Sequence, residues 1–380
     1  MWKRRILVAL AFVALFYITL GGVLLLDFAR RPYPPAPTIN EYEPIVMLHV
    51  ERHFVAKPRF PVIDVHSHPA ESGLPVEAIV RAMDEAGVER VVDLNGGWGE
   101  GLRRLISRYE LRFPGRFVVF ANLNLRGINA PGFGQEQAQE LDQSVRAGAR
   151  GLKIWKNLGM ELRNPDGSFV RVDDERFKPI WQKAAELGIP VLMHTADPTA
   201  FWLPLTAENE RFEEMFLARK LGWRYFISAQ GGIPPKNELL RQRENLLQEN
   251  PGTIFIGAHM GMLSDDLQYL GQLLDRFPNF YVDISDVVYD LGRQPYTSRD
   301  FFLKYQDRIL FGIDLYPEAD VYRDYYRFLE TWDEYFPYPR YDKRHGRWKI
   351  YGIGLPDSVL RKVYYLNAQK LLRLPEAFAS

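Results

Sequence analysis

The sequence predicts an α/β protein, a (β/α)₈ barrel preceded by one N-terminal transmembrane helix. Three observations lead to this prediction. Strand-like and helix-like segments alternate eight times over roughly 250 to 300 residues, as in a barrel of parallel strands. Ionisable side chains recur where these strands end, which is where barrel enzymes build their sites. An uncharged apolar segment near the N-terminus is long enough to cross a bilayer.

The apolar segment from Ile6 to Leu26 has about 21 residues, close to the length that a membrane-spanning helix needs. It is too long for a typical signal-peptide core, and no clear Ala-x-Ala cleavage site follows it, which favours a retained anchor. Lys3, Arg4 and Arg5 precede it, and three basic residues on so short a tail favour a cytoplasmic N-terminus. We therefore expect a cytoplasmic tail at residues 1–5, a single-pass transmembrane anchor at residues 6–26, and an extracytoplasmic catalytic domain.

Residues 27–44 have the composition of a linker. Four prolines between residues 31 and 38 rule out a regular helix and favour an extended spacer. Apolar residues return from Ile45 to Val55, where we expect a short strand or clasp against the main domain. The barrel domain is therefore assigned to residues 45–376.

Charge and cysteine content exclude several classes of function. Lys plus Arg and Asp plus Glu balance at 48 each, so nothing in the charge points to nucleic acid as a partner. The absence of cysteine excludes disulfides, thiolate metal sites and a cysteine nucleophile. We expect a small-molecule substrate and a membrane, but no nucleic acid, as partners.

The first predicted strand lies between Pro61 and Pro69. Its apolar residues are mostly β-branched, as a strand covered on both faces requires, while Asp64, His66 and His68 recur with period two. Side chains at this spacing share one face, and two imidazoles at the end of a barrel strand can hold one divalent cation. A pair of hydrogen-bonded core histidines is the alternative, and the rest of the chain decides between the two.

The other elements follow in order. Strands are predicted at Arg90–Leu94, Phe117–Leu123, Gly151–Ile154, Val191–His194, Ile254–His259, Phe280–Ile284 and Ile309–Ile313. Helices are predicted at Val76–Ala86, Glu100–Tyr109, Glu136–Ala147, Glu175–Leu187, Glu238–Gln248, Asp265–Arg276 and Asp300–Tyr305. A doubly wound open sheet is the alternative, but the glycine-rich turn from Gly96 to Gly99 lacks the spacing of a dinucleotide-binding fingerprint.

Six ionisable residues stand near the carboxyl ends of predicted strands. They are His66 and His68 on strand one, Lys153 on strand four, His194 on strand five, His259 on strand six and Asp314 on strand eight. A buried ionisable group costs several kcal/mol unless it is paired or metal-bound. Packing alone therefore does not explain six such groups at equivalent positions.

As a set, Asp64-x-His66-x-His68, His194, His259 and Asp314 resemble the amidohydrolase superfamily, and in detail its amidohydrolase-related branch. That branch includes aminocarboxymuconate semialdehyde decarboxylase, resorcylate decarboxylases and some lactonases. The similarity covers about Pro61 to Leu374, including a closing segment from Gly354 to Tyr364. It implies a TIM barrel of the metal-dependent hydrolase type. The loop from Phe201 to Pro251 and the insert from Tyr322 to Tyr351 lie outside the common core, so the resemblance does not identify the substrate.

The resemblance implies that His66, His68, His194 and Asp314 bind one Zn²⁺ or another divalent cation per chain. It implies that His259 is the catalytic acid or base, and Asp314 is expected to take a proton from water as well as to bind the metal. Imidazoles and a carboxylate are suitable ligands for zinc. Asp64 is interpreted either as orienting an imidazole through its free N–H or as a structural part of the strand.

Lys153 supports a different metal site. In other branches of the superfamily a carboxylated lysine on the fourth strand bridges two metal ions, so two ions with carboxylated Lys153 are the alternative. In relatives with one metal, the lysine would bind a negative charge of the substrate or fill the barrel interior.

Two reactions use the same ligands. We expect a metal-dependent hydrolase in which metal-activated water attacks an amide, ester or lactone carbonyl of a small substrate. The alternative is a metal-dependent non-oxidative decarboxylase, a carbon–carbon lyase, of a small aromatic or unsaturated carboxylic acid. Hydrolysis is preferred because the family is so named and no motif places an arginine to hold a departing carboxylate. A membrane-tethered binding protein with an inactive site is disfavoured, since no expected ligand position is substituted.

Overall fold

A computed structural model describes residues 2–30, 35–38, 41–220, 232–339 and 345–375 of the chain. The chain divides into two compact units, Met1–His49 and Val50–Ser380. The predicted linker falls partly outside the described residues, and the predicted domain boundary at residue 376 falls wholly outside them.

The first unit contains one long helix, Trp2–Arg30. Its segment Trp2–Asp27 is 26 residues long and apolar enough to cross a membrane, which confirms the predicted N-terminal apolar helix. Large apolar side chains such as Leu7 and Leu25 are exposed along it. A membrane span and a signal sequence share these properties.

The second unit is an eight-stranded parallel sheet in which each strand pairs with the next. The strands are β1 Val62–Ser67, β2 Val88–Asp93, β3 Phe117–Asn122, β4 Gly151–Ile154, β5 Val191–Met193, β6 Phe255–Gly257, β7 Phe280–Asp283 and β8 Ile309–Leu310. The Val65 amide donates to the Phe311 carbonyl at 2.9 Å and the Asp314 amide to the His66 carbonyl at 2.8 Å. These bonds join β1 to the segment that contains and follows β8, and the predicted barrel is confirmed.

Helices surround the strands. The long ones are Val76–Ala86, Gly99–Arg112, Phe133–Arg146, Lys178–Leu187, Phe212–Lys220, Lys236–Glu249, Leu267–Arg276, Pro295–Lys304 and Ala319–Glu330. Three consecutive helical segments lie near the end of the described residues: Asp357–Arg361, Lys362–Leu366 and Asn367–Leu371. Shorter turns occur at Pro69–Glu71, Asn157–Met160, Glu175–Phe177, Thr199–Trp202, Ala258–Met262 and Val288–Leu291.

An apolar cluster inside the sheet joins side chains from most of the strands to the C-terminal helix. Ile63, Phe120 and Ile256 belong to it, and so do Ala368 and Leu371. All five are buried. Because apolar side chains fill this part of the barrel, the ionisable residues are confined to the carboxyl ends of the strands, as in other barrels of this kind.

The segment from Ile45 to Val55 was expected to form a short strand or a clasp against the main domain, and of these two alternatives the strand is absent. This segment has no regular secondary structure, and Ile45 and Met47 are more than four-fifths exposed, at 86% and 81%. Within the barrel unit, its firm contact is His53, whose amide donates to Asp333 Oδ2 at 2.7 Å. Ile45 and Met47 therefore lie outside the core, whereas Val55 at the end of the segment packs against it.

Candidate metal centre

The histidines of β1 and the carboxylate after β8 meet at one point. His66 Nε2 lies 3.0 Å from Asp314 Oδ1, and His68 Nε2 lies 2.8 Å from the same oxygen. Asp314 has a φ of 62°, a left-handed conformation that non-glycine residues rarely adopt outside constrained sites. The sequence-predicted trio is thus brought together, with three donor atoms close enough to share one cation.

Asp283, at the end of β7, orients His66. Its Oδ2 lies 2.9 Å from His66 Nδ1, while its Oδ1 accepts hydrogen bonds from the amides of His259 and Ser285. Burial on its own would raise the pKa of the Asp283 carboxyl, but His66 beside it holds that pKa below its usual value. A carboxylate that accepts the Nδ1 proton leaves the Nε2 lone pair of His66 directed at Asp314.

Asn95 and Trp155 orient His68, the first by a hydrogen bond to the ring nitrogen Nδ1 and the second by stacking on the ring. Asn95 Oδ1 lies 2.5 Å from His68 Nδ1, and the Trp155 ring stacks on the imidazole at 5.6 Å between centroids. The amide group of Asn95 in turn donates to Glu71. Both imidazoles therefore have a partner on Nδ1 and present Nε2 to Asp314.

His194 follows β5 and faces the same space. Its buried Nε2 makes no hydrogen bond within the described part of the chain and lies 3.6 Å from Asp197 Oδ1. Burial lowers the pKa of His194 to about 4, so the ring is neutral at pH 7. A neutral imidazole with an unused buried nitrogen suits a metal ligand, but the donor atoms that lie within 4.8 Å of one another are those of His66, His68 and Asp314, without His194.

His259 lies in an unusual backbone turn after β6. Four successive residues, His259 to Met262, have positive φ, which costs L-residues about 1–2 kcal/mol each. Arg243, buried behind the turn, donates to the Gly261 carbonyl at 2.5 Å. Strain of this kind is typical of functional sites, where the surrounding structure holds it in place.

The turn fixes the tautomer of His259. Nδ1 lies 2.8 Å from the Ser285 carbonyl, to which it must donate, so Nε2 is left as an acceptor, 3.7 Å from Asp314 Oδ2. The ring centroids of His259 and His194 are 4.6 Å apart. Burial lowers the pKa of His259 to about 3 and keeps the ring neutral.

Lys153 is buried near the carboxyl end of β4, as the sequence predicted. Its Nζ is 3.4 Å from His66 Nε2 and 5.0 Å from the centre of the Trp155 ring. Burial lowers the pKa of this amine to about 8. A lysine in this place is compatible with one metal ion and with the carboxylated alternative.

Asp64 does not contact an imidazole. Its Oδ1 accepts the backbone amide of His66 at 2.9 Å, and its Oδ2 accepts the Tyr322 hydroxyl at 2.7 Å. The pairing of β1 with β2 shifts between Asp64 and Ser67, so the regular alternation of side chains does not continue through the segment. The structural role considered for Asp64 is supported, and its imidazole-orienting role is wrong.

Three residues of the centre were not anticipated from the sequence: Asp283, Ser285 and Asn95. The first two recur with period two after Val282, as Asp64, His66 and His68 do on β1, and this pattern was available. Asn95 follows Asp93 at the same period of two at the end of β2, so the pattern was available there as well.

A cavity of about 360 Å³ lies beside these residues. His194, His259 and Asp314 line it on one side, and Phe201 and Tyr289 are among its apolar lining residues. This volume is in the range of small-molecule sites.

Arg211, which the sequence analysis did not select, also lines the cavity. The guanidinium is 3.1 Å from Glu214 Oε2 and 3.0 Å from Asp290 Oδ2. Its charge is therefore balanced by carboxylates of the chain itself.

Comparisons with known proteins agree with this fold. A family model described as amidohydrolase matches residues 56–374. The sequence matched none of the curated proteins with which it was compared.

Several solved structures share the fold. A dihydroxybenzoic acid decarboxylase from Polaromonas sp. JS666 has a TM-score of 0.52 and 17% identity, over 83% of this chain and 97% of that one. A putative amidohydrolase from Staphylococcus aureus has a TM-score of 0.51 and 18% identity, over 83% and 100% of the two chains. A TIM-barrel protein from Bordetella bronchiseptica has a TM-score of 0.51 and 16% identity, over 83% and 99%. At these identities the likeness concerns the fold alone.

Proposed function

The chain belongs to the amidohydrolase family, whose members are metal-dependent enzymes, and from this premise we propose that it hydrolyses an amide, ester or lactone of a small molecule. The proposal combines the family with the charge of the cavity beside the candidate metal centre. The charge of the cavity supports the choice of hydrolysis over decarboxylation, and the proposed metal ion would activate water for that reaction.

We propose His66, His68, His194 and Asp314 as ligands of one divalent cation. Zn²⁺ suits three imidazoles and a carboxylate, and the similar decarboxylase from Polaromonas was solved with manganese, so both ions are candidates. A divalent ion held by these residues would lower the pKa of water toward neutrality and polarise a carbonyl oxygen.

Asp314 and His259 are proposed as the catalytic groups. Asp314 turns Oδ1 to the two β1 histidines and Oδ2 to His259, so one carboxylate faces both the ligands and the acid–base group. His259 donates Nδ1–H to the Ser285 carbonyl, which leaves Nε2 to accept a proton from water or pass it to a leaving group. Both side chains line the cavity in which a substrate would lie.

The charge of the cavity is the observation that favours hydrolysis over decarboxylation. Lys156 and Arg211 are the cations among the described lining residues, and both are paired with carboxylates, Lys156 with Asp197 at 2.7 Å. Apart from the proposed metal ion and Lys153, the cavity offers a substrate carboxylate only these paired cations among surrounding acids, which disfavours the binding of a carboxylic acid. An uncharged or cationic carbonyl compound meets no such repulsion.

Turnover measurements test this choice. The full chain in a non-ionic detergent, loaded with Zn²⁺ or Mn²⁺, is assayed on lactones, esters and amides and on hydroxybenzoates. Hydrolysis of at least one carbonyl compound, lost on chelation of the metal, is expected. Release of CO₂ from a carboxylic acid without any hydrolysis would assign the protein to the decarboxylases instead.

We also propose that helix Trp2–Arg30 stays on the protein as a membrane anchor, with the barrel on the extracytoplasmic side. The support is the length and apolar character of the helix and the basic residues that precede its core.

A further inference from the structure

Most carboxylates around the cavity already have a cationic partner. Asp197 is 2.7 Å from Lys156 Nζ. Glu214 and Asp290 share Arg211, with carboxylate–guanidinium distances of 3.1 and 3.0 Å. These three acids are therefore neutralised within the chain and offer little attraction to a ligand.

The outer acids of the cavity are compensated in the same way. Glu210 lies 2.8 Å from the Arg293 guanidinium, and Asp265 lies 3.8 Å from Lys236 Nζ. Asp314 is engaged with the histidines of the candidate metal centre.

Asp286 is different. No donor hydrogen-bonds its carboxylate among the residues that the structure describes, and the cationic group it approaches is His345 Nε2, at 3.9 Å. The other nitrogen of His345 lies closer to Glu214, at 3.1 Å, so the charge of this imidazole is shared. The Asp286 side chain is 49% exposed, and Asp286 lines the cavity together with Asp314.

The backbone holds Asp286 in this position at a cost. Its φ is 47°, in the left-handed region, and its amide donates to the buried Tyr325 hydroxyl at 2.9 Å. A strained non-glycine residue held by a buried partner is typical of ligand-binding positions. With no hydrogen-bond donor and a shared imidazole 3.9 Å away, the half-exposed Asp286 carboxylate presents the cavity with a negative charge that the described residues balance only in part.

We propose that Asp286 is a specificity residue that binds a positively charged nitrogen of the substrate, such as an ammonium or amidinium group. The cavity then holds the cationic end of the substrate near Asp286, and its reacting carbonyl near His259 and Asp314. This inference rests on the proposed hydrolase function for the identity of the ligand as a substrate, whereas the cation subsite itself is testable without turnover.

Binding of small probes tests the subsite directly. Benzylammonium, benzyl alcohol and benzoate share one ring and differ in charge, and a ring of this size suits a cavity of about 360 Å³. In calorimetric titrations of the full chain in a non-ionic detergent, we expect benzylammonium to bind about tenfold more tightly than benzyl alcohol. Benzoate should bind more weakly than the cation.

The variant Asp286→Asn should remove most of this preference, because asparagine keeps the shape and tolerates positive φ but carries no charge. Glu210→Gln is the matched control, since it removes a charge from the same cavity at a carboxylate paired with Arg293. Asp286→Glu, which keeps the charge, should retain part of the preference. Equal binding of the cation and the alcohol by the unaltered chain would overturn the proposal, and so would a preference that persists in Asp286→Asn.

The kinetic arm separates this inference from the proposed function. With a pair of esters that differ only in an ammonium substituent, Asp286→Asn should raise KM for the cationic ester about tenfold and abolish the preference for it over the neutral ester. Selective cation binding without hydrolysis of any ester would contradict the proposed hydrolase but keep the subsite. Hydrolysis of both esters with no preference for the cationic one would contradict the cation subsite but keep the proposed hydrolase.

Discussion

Asp283 has an unusual number of partners for a single side chain. It contacts His66 through one oxygen, and the amides of His259 and Ser285 through the other. It is also fully buried. The geometry of the candidate metal centre therefore depends on a residue that need not itself bind the ion, as is common for groups that orient metal ligands.

The first prediction concerns metal content. The double variant His66→Ala, His68→Ala should lose the divalent ion, because it removes two of the four proposed ligands, the imidazoles that meet at Asp314 Oδ1. Elemental analysis of the purified protein checks this, with one equivalent expected before substitution. Full metal retention in the double variant would contradict the assignment. Two ions that depend on Lys153 and bicarbonate would favour the carboxylated alternative.

The second prediction separates His259 from the ligands. His259→Ala should keep its metal and lose about 10²–10⁴ in turnover, the usual contribution of a positioned acid or base. The limb of the pH–rate profile that belongs to this imidazole should disappear with it. Loss of metal would make His259 a ligand, and near-normal turnover with metal bound would remove it from the mechanism.

The sequence predicted that the proposed catalytic and ligand residues stand near the carboxyl ends of strands, and these ends lie at one face of a parallel barrel. It did not predict how those residues are oriented. The tautomer of His259 depends on a carbonyl 26 residues further along the chain, and the orientation of His66 on a carboxylate 217 residues away. Contacts of this kind follow from tertiary packing and leave no local signal.

At the scale of elements, the predicted helices and strands lie within a few residues of observed ones, but two long helices, Phe212–Lys220 and Ala319–Glu330, were not predicted. Helix Val76–Ala86 matches its prediction at both ends, with Gly87 in the left-handed conformation that terminates a helix. Strands β6 and β8 are shorter than predicted, since the chain leaves the sheet before His259 and Asp314, which both have positive φ. Apolar sequence alone does not reveal where a functional turn interrupts a strand.

The third prediction concerns helix Ala319–Glu330 and the pH dependence of stability. Burial raises the pKa of Asp324 to about 7, above its unfolded value. The folded state therefore retains a proton that the unfolded state releases, so stability falls as pH rises from about 4 to 7 and then levels off.

Asp324→Asn removes this cost. The variant should gain about 1 kcal/mol in unfolding free energy over the unaltered chain at pH 8, less than the full linkage value because the side chain is only half-buried. The gain should vanish near pH 4. Denaturant titrations at the two pH values measure it, with Glu136→Gln at an exposed position of helix Phe133–Arg146 as control. A gain of equal size at both pH values would show that the carboxyl does not titrate as stated.

At the scale of the whole molecule, the fourth prediction concerns the anchor. The full chain should sediment with membranes and resist carbonate extraction, because helix Trp2–Arg30 is long and apolar enough to span a bilayer. A truncated chain that starts at Pro44 should be soluble. A reporter fused to the C-terminus should register outside the cytoplasm. Reporter activity in the cytoplasm would reverse the proposed topology, and a full chain released by carbonate would exclude the anchor.

The donors of the candidate metal centre include residues from the first and the last strand region of the barrel, which are synthesised at different times. His68 and Asp314, which meet at the candidate metal centre, are 246 residues apart in the chain. At 5–20 residues per second, about 12 to 50 seconds pass between the synthesis of one and of the other. A chain that is exported as it is made would therefore complete its donor set only after the first histidines had left the cytoplasm. The ion that the enzyme carries would then reflect the metal supply of the compartment in which the barrel closes.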